Sequence, residues 1–499
     1  MKARVLLLFV VLLASVATAP AQEVDPSKVP DHPNLLRYES LSFEVPDPDD
    51  YRHVLDNGIV VYVAEDHKLP LVDISVRLRV GAFLEEKPGV AEMTGTMLRR
   101  GGAGGMSAEE FDEKVDFLAV NMNSSGGATD SAAGFNSISP VIDDALELLF
   151  QMLRSPGFQE DRLKLEKDNL LEDMKQRNDR PQSISGREWG WLMRGKDTFI
   201  SHQMTKAEVD AITRDDLVAF HKKWWRPENM TIAVSGDVDA KAVIAKLEER
   251  FAGWNPEGPE IPWPPTGPDF TPTPGVYYVE KDIPQGRVVI GHLGKQRESW
   301  NDKDEYALLL MNDILGGGGF TSRLMKRIRS DEGLAYGAGS AFSIGEFWPG
   351  VFQMVYQSKS PTVALAAKIA LEEMKSIQQD GVTEDELKTA KASFIDVFPR
   401  RFESAEDIVD VFVDDDVEGR PHDYWDTYRK RIEAVTPKEV QRVARKYLQP
   451  DQLVFLIVGE WDAIQKGDPD NRASMAEFFG GEATELPLRD PLTLEPIQD

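Results

Sequence analysis

The chain has 499 residues, no cysteine, and 85 Asp and Glu against 57 Lys and Arg, for a formal net charge of −28. The missing cysteines exclude disulfides and thiolate metal sites, and the acidic excess argues against nucleic acid or anionic lipid as a partner. The length is enough for two domains that each bury a core without covalent staples.

The opening MKARVLLLFVVLLASVATAPAQ joins a basic start at Lys2 and Arg4, an apolar run from Val5 to Leu13, and the small-residue pattern Ala19-Pro20-Ala21. It predicts a secretory signal over 1–21, whose removal before Gln22 takes the net charge from −28 to −30. An uncleaved N-terminal anchor is the alternative. No Cys follows the apolar run, which excludes a lipoprotein, and no later stretch approaches the roughly 20 apolar residues of a membrane span. The expected destination is the periplasm, with secretion as the alternative.

Residues 22–44 are rich in Pro and Asp and read as an extended arm. A first domain is expected over 45–254. HVLDNGIVVYVAED carries the hairpin signal Asn57-Gly58 between apolar runs. LVDISVRLRVGAF puts Val72, Ile74, Val76 and Leu78 on one side of a half-buried strand. A helix is predicted from about 89 to 99, with Val90, Met93, Met97 and Leu98 as its buried stripe and Arg99-Arg100 as a solvated end. Helices follow over 107–119, 142–154 and 160–178, the last with Leu163, Leu170, Leu171 and Met174 in phase. Trp189, Trp191, Trp224 and Trp225 read as packing residues rather than a binding surface.

The segment NPEGPEIPWPPTGPDFTPTP falls in 255–275 and can form neither a helix nor a central strand, so it reads as a semi-rigid linker. A second domain is expected over 276–465, with strands at 276–281 and 286–293, a helix over 302–315, a loop Gly316 to Gly319, a helix over 320–330 and a strand from Leu334. Residues 466–499 form an acidic, Pro-containing tail, parts of which are expected to be loosely attached.

The two domains repeat each other. AITRDDLVAFHKKWWRPENMTIAVSGDVDA at 211–240 aligns without a gap with AVTPKEVQRVARKYLQPDQLVFLIVGEWDA at 434–463, an offset of 223. Thr213 meets Thr436, Pro227 meets Pro450 and Gly236 meets Gly459, the same Thr-opened helix, Pro stop and apolar strand in each copy. A period this long means two homologous domains rather than a solenoid.

Three segments carry a resemblance to a known family: GVAEMTGTMLRRGG at 89–102, EKDNLLEDM at 166–174, and GGGGFTSRLMKRIRSDEGLAYGAGSAF at 316–342. Together with the duplicated plan, they resemble the pitrilysin/insulinase zinc peptidases, also called inverzincins. The glycine run lacks the Gly-Lys-Ser/Thr of a nucleotide loop. The resemblance implies an α+β fold of two homologous α/β domains, each a mixed, largely antiparallel sheet with helices packed on one face. The two domains would form half of a clamshell peptidase chamber.

The family's active-site helix needs H-x-x-E-H, two imidazoles on one face for Zn²⁺ and a Glu beside the metal to deprotonate water. Here those places hold Glu92, Gly95 and Thr96, and the third ligand, a Glu in the family, aligns with Asp173. No two histidines of the chain lie at i and i+3 or i+4, so no replacement pair exists. A hard cation held by Glu92, Thr96 and Asp173 is a minor alternative to an ordinary helix face. Gly95 either weakens its helix or permits a close contact.

The second domain keeps Arg329 and Tyr336 at the positions where the resemblance implies donors that hold the substrate backbone. Their bland alternative is an ion pair of Arg329 with Asp331 or Glu332 and a Tyr336 packed in the sheet. The resemblance therefore implies a non-catalytic subunit with no cofactor of its own. Its partner would be a homologous chain with intact H-x-x-E-H that supplies zinc, and its substrates would be peptides or unfolded segments. A binding or scaffold protein of the same fold with no role in proteolysis is the second reading.

Overall fold

The structure, a computed structural model, describes residues 43–267 and 270–497. The expected signal over 1–21 and nearly all of the arm over 22–44 lie outside the described residues. From Val45 onward the chain is one compact unit containing two six-stranded sheets.

The first half opens with β1 (Arg52–Val54), β2 (Val60–Glu65) and β3 (Leu71–Leu78). Helices α1 (Val90–Arg100) and α2 (Ala108–Phe117) lead to the hairpin of β4 (Asn121–Gly126) and β5 (Ser131–Ile138). Then come α3 (Ile142–Arg154), α4 (Glu160–Lys175), α5 (Pro181–Arg194), α6 (Lys206–Ala211) and α7 (Arg214–Trp224). Strand β6 (Met230–Gly236) and α8 (Ala240–Phe251) close the half. The Asn57-Gly58 turn forms as predicted, with Gly58 at φ +89° and Leu55 and Ile59 paired across it.

The second half runs β7 (Gly275–Glu280), β8 (Gln285–Leu293), β9 (Lys295–Gln296), α9 (Lys303–Asn312), β10 (Ala335–Phe342), β11 (Ile344–Gly345) and β12 (Val351–Lys359). Helices α10 (Val363–Gln379), α11 (Glu384–Ile395), α12 (Ala405–Glu418), α13 (Tyr424–Ala434) and α14 (Pro437–Tyr447) follow. Strand β13 (Val454–Gly459), α15 (Trp461–Gln465) and β14 (Ala483–Glu485) end it. Between α9 and β10 the predicted end of the helix over 302–315, the loop Gly316 to Gly319 and the helix over 320–330 take a different form. The chain instead makes π-helical turns at Asp313–Gly317 and Met325–Asp331 around a short 3-10 turn. Gly316 there packs so closely on β10 that a Cβ would sit 2.3 Å from the Ser340 nitrogen.

The sheet orders are β1-β2-β6-β3-β5-β4 and β14-β7-β13-β8-β12-β10. Pairs β2/β6 and β7/β13 are parallel, and every pair further along the two sheets is antiparallel. The duplicated segments hold equivalent places: Thr213 and Thr436 both cap their helices in capping boxes, with Asp216 and Glu439 as the reciprocal partners.

The core of the first half lies between its sheet and its own helices, where Val72, Ile74, Val76 and Leu78 meet Met97, Leu98, Leu146 and Leu149. Trp224 and Trp225 are buried in this core, as expected. The opposite sheet face is covered from the other half. Helix α12 packs on β2 and β6, where the Phe412 ring stands 5.8 Å from Tyr62, and the Tyr62 hydroxyl donates to Asp416 at 3.0 Å. Reciprocally, α5 of the first half packs on β8 and β13, with Trp189 and Met193 against Val289, Val351 and Val454. Each of these helices has 14 residues and the same place in the repeat, so the halves exchange equivalent helices.

The tail is docked rather than loosely attached. Strand β14 pairs with β7, Arg489 reaches the buried Glu188 at 3.2 Å, and the Asn178 amide donates to the Arg489 carbonyl at 2.7 Å. The Lys206 backbone N–H also donates to the Leu492 carbonyl at 2.7 Å. Backbone carbonyls of the tail carry most of this docking, which is why an acidic composition did not betray it.

Candidate functional site

Helix α1 begins at Gly89, whose φ of +84° suits glycine, and the Glu85 carboxylate accepts from the Gly89 and Ala91 N–H groups at 3.0 and 2.9 Å. Burial raises the Glu85 carboxyl above the ordinary range. The predicted stripe of Val90, Met93, Met97 and Leu98 is buried.

Three of the four positions that the sequence aligns with a metal site meet. Glu92 and Thr96 on α1 and Asp173 on α4 line one cavity of about 200 Å³, together with Glu166, Asn169 and Met204. Arg100 holds Glu166 at 3.1 Å, and Arg99 donates to Asp112 and to the Met122 carbonyl. Arg99 therefore ties α1 to α2 and β4 and is largely covered, whereas Arg100 is exposed as the sequence suggested while it pairs with α4.

Gly95 turns away to the edge strand β4. A Cβ at this position would lie 2.1 Å from the Gly126 nitrogen, and one at Gly126 would lie 2.3 Å from the Ala91 carbonyl oxygen. Ser124 Oγ donates to the Gly95 carbonyl at 2.6 Å. Two glycines thus let helix and strand backbones touch, which is the close contact a mid-helix glycine permits.

These residues do not fit zinc. Neither imidazole is present, and the β4 backbone fills the space that a glutamate at position 95 would need. Among the described residues no three His, Cys, Asp or Glu side chains form a metal-holding group.

Arg329 lies in the second π-helical turn and Tyr336 near the start of the edge strand β10. The guanidinium stands 4.5 Å from the Tyr336 ring centroid and 4.8 Å from that of Phe320. Tyr336 is 87% exposed and Phe320 72%, so neither ring is packed in the core. Neither Asp331 nor Glu332 pairs with Arg329, and Arg472 holds Glu332 at 2.6 Å. The bland expectation for this pair is therefore not what forms. Sequence reading did not single out Phe320, although an aromatic residue ending a run of four glycines was a usable signal.

Residues 211–394 match the family described as the Peptidase M16 inactive domain. The chain is 25% identical over 411 residues to the non-peptidase homolog YmxG of Helicobacter pylori, covering 80% of this chain and 91% of that protein. It is 28% identical over 292 residues to an uncharacterised zinc protease of Mycobacterium leprae, covering 58% of this chain and 64% of that protein. A crystal structure of a peptidase M16 inactive domain from Pseudomonas fluorescens shares the fold at a TM-score of 0.72 and 24% identity, covering 84% of this chain and 98% of that one. Residues 211–394 are thus similar to the M16 inactive domain, and the chain has an M16-like mixed α/β fold. The resemblance drawn from its three segments holds.

Proposed function

We propose that this chain is the non-catalytic, substrate-binding subunit of a two-chain zinc metallopeptidase. Its partner is a homologous exported chain that keeps H-x-x-E-H and supplies both zinc and the general base. This chain supplies half of the chamber wall and the donors Arg329 and Tyr336, which hold peptides or unfolded segments. The periplasm is its working compartment.

One observation carries the reading: Arg329 and Tyr336 touch each other at an exposed edge, and Arg329 has no carboxylate partner among the described residues. A guanidinium left without a partner has its donors free for a ligand. The peptide-strand mode of binding is supported by the neighbouring β10, whose outer edge ends its sheet.

The test is peptide hydrolysis and bound zinc, measured for this chain, for the H-x-x-E-H chain, and for their mixture. Activity with about one zinc per pair, found only in the mixture, supports the reading. Zinc-dependent hydrolysis by this chain alone, or no complex and no stimulation, would remove it. The last result would favour a binding or scaffold protein.

A further inference from the structure

We propose that Phe320, Arg329 and Tyr336 form a clamp for the C-terminal carboxylate of a bound peptide. This rests on the peptide-binding reading above and names the part of the peptide that the site recognises.

The argument starts from how the guanidinium is presented. Phe320 and Tyr336 stand 4.8 and 4.5 Å from the Arg329 carbon that carries its charge. Rings this close occupy space around the cation and restrict its rotamers, while adding attraction of their own. The group that remains to be satisfied is its planar fork of N–H donors. Such a fork matches a carboxylate in two parallel hydrogen bonds, and a peptide carbonyl offers only one oxygen.

The surroundings leave that fork available. Among the described residues Arg329 makes no ion pair, although Asp331 and Glu332 follow it directly in sequence. Glu332 is drawn off to Arg472 at 2.6 Å, and Arg327, two residues earlier, is held by Glu373 at 2.6 Å. Tyr336 adds an exposed hydroxyl donor beside the same spot. Phe320 is 72% exposed at the end of the glycine run, where Gly319 takes φ +60°. An apolar ring in that position gains little from the fold itself. It gains from stacking on the cation. Phe320 is thus a positioning residue that acts through Arg329.

The experiment uses the mature chain without a partner and two fluorescein-labelled decapeptides of identical, uncharged, unstructured sequence ending in Leu. One carries a free C-terminal acid and the other a C-terminal amide. Fluorescence anisotropy is expected to give at least about ten-fold tighter binding of the acid, the scale of one charge-assisted bidentate contact. Arg329→Gln is expected to erase the difference between the two peptides. Phe320→Ala is expected to weaken the acid several-fold and leave the amide unchanged, and Phe320→Tyr to restore it. All three variants are expected to unfold at the wild-type temperature, because the rings are exposed. Equal binding of acid and amide, with both weakened by Arg329→Gln, would overturn the carboxylate clamp and leave the peptide-binding reading standing. Binding of neither peptide would remove both.

Discussion

The two halves share one strand order and differ in what stands at matching places. In the first, the helix glycine Gly95 lies directly against the backbone of the edge strand β4. In the second, the edge strand β10 carries an exposed tyrosine beside an arginine that has no carboxylate partner among the described residues. One edge has been sealed by backbone contact and the other left open with donors upon it. The outermost strands differ too: β1 is joined to β2 by a tight turn, whereas β14 arrives from the tail and runs parallel to β7. A duplicated fold therefore keeps its frame where packing demands it and diverges at its edges, where loops and chemistry are placed.

The largest effect should come from breaking the helix exchange. Phe412→Ala removes a buried ring from between α12 and the first sheet, and should cost about 3–5 kcal/mol in a denaturant titration. Trp189→Ala is the matching test on the second sheet, and similar losses would establish that the exchange is symmetrical. A loss confined to one of them would make the other helix a passenger.

Next comes the sealed edge. Gly95→Ala sets a methyl group against the Gly126 backbone and should cost about 2–3 kcal/mol, with hydrogen exchange rising in β4. For the same reason, rebuilding the motif by Glu92→His, Gly95→Glu, Thr96→His and Asp173→Glu should not create a zinc enzyme. Stoichiometric tight zinc in that variant would mean that β4 yields easily.

A smaller, pH-dependent effect comes from the face that α12 covers. Burial, reinforced by Glu406 and Asp410, pushes the Asp73 carboxyl up to about 6. The folded chain therefore holds this proton more tightly than the unfolded chain, whose carboxylate titrates near 3.8. Ionising Asp73 as pH rises through this window costs stability, an effect absent below it and complete above about pH 6. Asp73→Asn should raise stability at pH 7 by about 1 kcal/mol, after allowance for solvent screening, and flatten the pH profile between 4 and 6. An unchanged profile would show that the charge is relieved by rearrangement. The smallest effect is expected on the open edge, where Tyr336→Phe should leave stability within about 0.5 kcal/mol.

Much of this frame was legible in the sequence. Capping residues, proline stops and the alternation of β3 are local signals, and local signals set α7, α14 and the strands beside them. The helix exchange was not legible, because the apolar stripe of α5 or α12 says which face is buried but not which sheet buries it. Docking of the tail through backbone carbonyls leaves no pattern in side chains, and the three residues of β14 are too few to alternate. The metal positions were read from one motif, and Glu92, Thr96 and Asp173 do share a cavity. That Gly95 faces a strand backbone instead, and that Phe320 stacks on Arg329, needed the tertiary contacts.

The central claim is that the open edge of the second half handles substrate for a partner that holds the metal. The most direct measurement is the peptidase rate of the assembled pair carrying Arg329→Ala, at matched complex and zinc content. The account predicts a rate reduced about ten-fold or more, on the scale of losing one charge-assisted bidentate contact to the substrate, with assembly unaffected. An unchanged rate in a fully assembled, zinc-loaded pair would contradict it and assign this chain a structural role.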